Sequence, residues 1–172
     1  MKKNKALEFA HDFEIKGVNL YMKLAAKIDN ALAKEVFYSL AKQEVEHAHR
    51  IDQIYTGLKS NKGWSKAAPA KLPSMETEVK KFFTTASKAQ LKKGAENLEG
   101  YEIAMRMERK GFKAYKEFYA AAKSSGEKAF YKQMMEEEQK HYETLANVYA
   151  YLTSTEDWLQ EDESRTWNWM NI

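Results

Sequence analysis

Two stretches of the chain, Glu44-Val45-Glu46-His47 and Glu138-Gln139-Lys140-His141, place a carboxylate and an imidazole three residues apart. On a helix that spacing puts both groups on one face, a turn from each other. Two further glutamates, Glu14 and Glu108, each stand thirty residues before the glutamate of one stretch. Together these residues offer four carboxylates and two imidazoles, a set of six ligand side chains whose charge of −4 two divalent cations would cancel. Mixed oxygen and nitrogen ligation without sulfur favours iron or manganese, with zinc as an adventitious occupant.

A single Glu-x-x-His is common on helix surfaces and signifies little. Here it belongs to an internal repeat. Sliding the sequence on itself by 94 residues aligns Glu14 with Glu108, Gly17 with Gly111, Tyr21 with Tyr115, Glu44 with Glu138 and His47 with His141. Lys16, Ala26, Lys34, Tyr55 and Leu58 also meet identical residues, and no gap is needed. The matches include every Glu and His that falls on the buried faces described next, so the repeat predicts two equivalent halves of one site.

Four segments carry apolar residues in steps of three and four, the spacing of long helices packed nearly parallel. They run from about Lys5 to Ile28, Ala31 to Leu58, Ala95 to Lys123 and Gly126 to Leu152. Their seams read Leu7-Ala10-Glu14-Gly17-Tyr21, Leu40-Glu44-His47-Ile51, Ala104-Glu108-Gly111-Tyr115 and Met134-Glu138-His141-Leu145. Each otherwise apolar seam is interrupted by a carboxylate near its middle. Burying such a group without a partner costs several kcal/mol, so something must neutralise four that face one another. Their level agrees: Glu14 and Glu44 are each fifteen residues from position 29, and Glu108 and Glu138 are each fifteen from position 123. At ~1.5 Å per residue all four lie about 22 Å from their turns.

Asp29-Asn30 and Ser124-Ser125-Gly126 are short breaks, so each pair of helices is an antiparallel hairpin. The expected organisation is one domain spanning 1–172. It consists of a hairpin over 5–58, a long crossover over 59–94, a hairpin over 95–152 and a tail over 153–172. In the crossover Ser74 is placed to cap a short helix reaching about Ala86. Ser154 is similarly placed in the tail, ahead of Trp158, Trp167 and Trp169. The tail is read as packing on the bundle or on a second subunit.

Composition sets the class. The 172 residues include seven Gly, two Pro and no Cys, which excludes disulfides, thiolate metal sites and Cys nucleophiles. With 28 basic and 25 acidic residues the charge is too balanced for nucleic acid to be the main partner. No apolar run is long enough to span a bilayer, and acidic residues interrupt the basic start before it can resemble a signal peptide. A cytoplasmic, all-α protein is expected.

At these residues the chain resembles the rubrerythrin branch of the ferritin-like superfamily, whose di-iron bundles use one Glu from each of two helices and a Glu-x-x-His from each of the others. The resemblance implies a ferritin-like antiparallel four-helix bundle with two irons per chain. It makes Glu14 and Glu108 terminal ligands, Glu44 and Glu138 bridging ligands, and His47 and His141 terminal ligands. It also matches Tyr21 to a tyrosine two turns beyond the first ligand, and the repeat adds Tyr115. Such a tyrosine can send its hydroxyl back to a bridging carboxylate, because helical side chains lean toward the N-terminus.

Two departures accompany the likeness. Two-domain rubrerythrins carry a rubredoxin module with four Cys, absent here, so electrons must come from an external carrier such as a rubredoxin-type protein. They also carry an extra Glu three residues after the third-helix ligand, where this chain has Gly111. That Glu takes part in redox-linked ligand exchange. Gly17 and Gly111 in mid-helix have two readings: room for dioxygen or peroxide beside the metals, or close helix packing.

The activity implied is reduction of hydrogen peroxide or dioxygen by a di-iron centre, in a homodimer. Ferritin-type iron oxidation and storage is the alternative, although the Trp-containing tail does not look like the fifth helix of a storage cage. A non-catalytic metal-binding bundle is the third reading. His11, one turn before Glu14, and His49, turned off the seam, are read as surface residues.

Overall fold

Runs rich in Ala, Leu, Lys, Glu and Met favour helix, and the regular structure among the described residues is entirely helical. The computed structural model describes residues 2–29, 31–60, 64 and 98–153. The elements are α1 (Lys2–Lys27), α2 (Ala31–Lys59), α3 (Leu98–Ala121) and α4 (Ser125–Thr153). The helix expected from Ser74, nearly all of the crossover and the Trp-containing tail lie outside the described residues.

The break between α3 and α4 shows how local chemistry sets an element boundary. Ser124 Oγ accepts the Glu127 amide at 3.2 Å, and the Glu127 carboxylate reaches back to the Lys123 amide at 3.2 Å. This reciprocal capping starts α4 at Ser125, just ahead of the Gly126 start read from periodicity.

α1 packs against α2 and α3 against α4, and the hairpins meet through α1 beside α3 and α2 beside α4. They turn at opposite ends. One end of the core holds Tyr21, Ala25, Ile28, Phe37, Leu40, Tyr101, Ala104, Leu145 and Val148. The other holds Leu7, Ala10, Ile51, Ile54, Tyr115, Phe130, Tyr131 and Met134, with Trp64 packed on it. Neighbouring helices of different hairpins therefore run antiparallel, and a pseudo-twofold across the bundle axis relates the halves. Between the two apolar ends, at mid-height, lies a belt of buried ionisable side chains.

Candidate metal centre

The belt consists of Glu14 from α1, Glu44 and His47 from α2, Glu108 from α3, and Glu138 and His141 from α4. None is more than 2% exposed. Each sits on the core-facing stripe because its helix buries the apolar residues three and four positions away.

Their polar atoms fall into two groups. Glu14, Glu44, His47 and Glu138 can each bring one ligand atom within 4.8 Å of the others, and so can Glu44, Glu108, Glu138 and His141. The 94-residue shift turns one group into the other, and Glu44 and Glu138 belong to both. The imidazoles stack with ring centroids 5.3 Å apart. Both turn Nδ1 inward: His47 Nδ1 lies 3.0 Å from Glu14 Oε2 and 3.1 Å from Glu44 Oε2, and His141 Nδ1 lies 3.2 Å from Glu44 Oε1 and 3.6 Å from Glu108 Oε2.

The donor set suits cations. Both oxygens of Glu108, both of Glu138, Glu44 Oε1 and His141 Nδ1 are buried and make no hydrogen bond. Buried polar atoms left in this way cost about 1–3 kcal/mol each, more when charged, and all of these offer lone pairs toward the same space. Two buried carboxylate–imidazole clusters sharing two carboxylates are consistent with a dinuclear metal site.

Without metal, protons take up the imbalance. Burial, then repulsion from Glu44, pushes Glu14 up to about 8. Burial and the charges of Glu108, Glu14 and Glu44 raise Glu138 well above the usual carboxylate range. Glu44 is the exception: burial opposes its ionisation, yet a hydrogen bond from Glu14 and the charge of His141 hold it low. Burial alone would depress the imidazoles. The carboxylates Glu137, Glu14 and Glu44 nevertheless raise His47, and Glu108 and Glu44 lift His141 to about 9.

The tyrosines behave unequally. Tyr115 donates its hydroxyl to Glu14 Oε1, across from α3 to α1. Tyr21, its counterpart, stacks on Phe37 at 6.0 Å, and its buried hydroxyl makes no hydrogen bond. The glycines are also resolved. A Cβ on Gly17 would stand 3.1 Å from Glu44 Cγ, and one on Gly111 would collide with Glu138 Oε2 and lie 2.7 Å from Phe13 Cε1. The space beside each glycine is taken by a carboxylate shared between the two groups, so close packing is the reading that holds. Outside the belt, His11 lies 3.6 Å from Asp52, and His49 is exposed with a Gln53 contact at 3.2 Å.

Three residues around the belt escaped the sequence reading. His47 Nε2 lies 3.0 Å from Glu137 Oε2, and Arg50 clamps that carboxylate with Nη1–Oε1 at 3.2 Å and Nη2–Oε2 at 2.5 Å. Arg50 and His47 hold Glu137 at about 2 despite its burial. His141 Nε2 donates to Gln43 Oε1 at 3.0 Å. Repeat position was the available signal, since 43 and 137 coincide under the 94-residue shift and each precedes a Glu-x-x-His.

No described helix is long and apolar enough to cross a membrane. Compared with known proteins, the chain matches the family model described as Rubrerythrin over residues 5–149. No curated protein and no solved structure matches it significantly.

Proposed function

The chain belongs to the rubrerythrin family, and on that premise we propose that its belt holds two iron ions and that the protein reduces hydrogen peroxide or dioxygen with electrons from an external carrier. In this reading Glu14 and His47 are terminal ligands at one position, Glu108 and His141 at the other, and Glu44 and Glu138 bridge. The observation that carries it is the convergence of buried carboxylates and imidazoles from four helices on one level of the core, with oxygens of Glu44, Glu108 and Glu138 left without a hydrogen bond. Redox-active metal ions bound there would supply the electrons for reduction and polarise the oxidant.

The chain's own residues prepare the site. Apolar side chains above and below the belt exclude bulk water, which strengthens every electrostatic interaction within it. With metal bound, the inward Nδ1 and outward Nε2 of each imidazole would leave the proton on Nε2 and direct the Nδ1 lone pair into the centre. The Tyr115 hydroxyl, held on Glu14, is a proton-bearing group beside the belt; the same role for Tyr21 rests on the repeat alone, since its buried hydroxyl makes no hydrogen bond.

The proposal includes residues 1–172 as one domain and a homodimer. Support for a partner surface comes from Ile15, Met22, Tyr38 and Val45, which are 40–50% exposed on α1 and α2.

The test is metal analysis of the purified protein, followed by oxidation of the reduced, iron-loaded form with peroxide and separately with dioxygen. Oxidation followed by repeated turnover with a reduced one-electron donor is expected. Metal binding without turnover would leave a non-catalytic bundle. Retention of many irons per chain in a cage-sized particle would identify storage.

A further inference from the structure

The repeat predicts two equivalent metal positions, yet the residues around them differ. His47 Nε2 faces a carboxylate, Glu137 Oε2, at 3.0 Å. His141 Nε2 faces an amide, Gln43 Oε1, also at 3.0 Å. The distances match and the two residues occupy the same place in the repeat, so the halves differ there by one formal charge. Arg50 holds Glu137 in its orientation through two contacts, and the residue at the corresponding place in α4 is Thr144. The terminal carboxylates differ in the same sense. Glu14 accepts the Tyr115 hydroxyl, whereas neither Glu108 oxygen has a hydrogen-bond partner and the Tyr21 hydroxyl makes no hydrogen bond.

A carboxylate that accepts the outer N–H of an imidazole makes the inner nitrogen a stronger ligand and fixes the ring; a neutral amide does less. Arg50 attenuates the carboxylate's field at a distance but leaves its contact with His47 in place. A carboxylate ligand held by a hydroxyl is likewise better oriented than one that makes no hydrogen bond.

We infer that the two positions bind metal unequally: the one built on Glu14 and His47 is the tighter and fills first, and the one built on Glu108 and His141 is the more exchangeable. Glu137 and Gln43 act as positioning residues that set this order. The inference rests on the reading of the belt as a two-metal centre and goes beyond it, because nothing in a symmetric ligand set distinguishes the positions. Outer hydrogen-bond partners of this kind change metal affinity by about 10- to 100-fold.

Two adjacent cations repel even in equivalent positions, so a two-step binding curve does not decide the matter. The location of the first ion does. The metal-free full chain is loaded with one equivalent of Co²⁺ and the ion is located by anomalous scattering, with its visible absorption recorded in parallel. The native protein is expected to show the ion beside His47. The exchanged variant Gln43→Glu/Glu137→Gln keeps the native net charge and is expected to move the ion beside His141. Gln43→Glu alone, at a half-buried position, should tighten binding beside His141 by about 10-fold or more and checks the result independently of how the double variant folds. A first ion divided equally between the positions, or one that stays beside His47 when the outer partners are exchanged, overturns the inference. Equal occupancy would leave the two-metal reading intact, whereas failure of the native chain to bind cobalt in the belt would overturn both.

Discussion

Gly111 on α3 lies directly against the Glu138 carboxylate of α4, so closely that a Cβ at 111 would occupy the space of Glu138 Oε2. A mid-helix glycine costs about 0.5–1 kcal/mol relative to alanine, and here that cost secures the position of a shared carboxylate. Gly111→Ala is expected to displace Glu138 or the Phe13 ring. It should destabilise the chain by about 1–3 kcal/mol of overpacking, only partly offset by helix propensity. It should also weaken metal binding. Gly17→Ala meets softer neighbours, Glu44 Cγ at 3.1 Å and Met107 Cε at 3.2 Å, and should be near neutral. Thermal melting and metal titration of the pair check this; equal effects would contradict it.

The tyrosines give a second contrast. Tyr115→Phe removes the donor to Glu14, and a hydrogen bond to a charged group contributes about 1.5–3 kcal/mol. The metal-loaded variant should melt lower and bind metal more weakly. Tyr21→Phe removes a buried hydroxyl that makes no hydrogen bond, so stability should be unchanged or raised. A loss for Tyr21→Phe as large as that for Tyr115→Phe would show that both hydroxyls serve the centre.

The protonation of the belt predicts an unusual pH profile for the metal-free chain. Glu14, at about 8, and Glu138 both bind protons more tightly folded than unfolded, where a glutamate titrates near about 4.3. Their contribution is fully present below the unfolded value and is lost as pH rises through the folded one. His47 and His141 act in the same direction, with contributions present below about 6.5 and, for His141, lost through about 9. Glu137 works oppositely, contributing above about 4.3 and losing that contribution as pH falls through about 2. Melting temperature without metal should therefore decline from about pH 5 to about pH 9. Metal displaces these protons, so the gap between loaded and chelated protein should widen over the same range and narrow in acid. A flat or rising metal-free profile between these limits would contradict the assignment.

Most of the fold was legible because a bundle imposes one rule, burial of every third and fourth residue, and the chain obeys it along all four seams. The six belt residues were legible for the opposite reason: Glu14, Glu44, Glu108 and Glu138 break that rule where apolar residues belong. Glu137, Gln43 and Arg50 obey no such rule. They flank the seam, where charged and polar residues are ordinary, and only the packing of α2 against α4 shows that Glu137 and Gln43 reach the imidazoles and that Arg50 holds Glu137. The different fates of Tyr21 and Tyr115 were equally hidden, since the repeat makes them identical and only the fold shows Tyr115 bonded to Glu14 and Tyr21 without a hydrogen bond. The glycines left two readings open until the carboxylates beside them were located.

The central claim is that Glu14, Glu44, His47, Glu108, Glu138 and His141 together hold two metal ions. Anomalous diffraction from crystals of the iron-loaded protein tests it directly. Two anomalous peaks are predicted in the belt, one beside His47 and one beside His141, with Glu44 and Glu138 reaching both. No pair of peaks among these six side chains after iron loading would contradict the account.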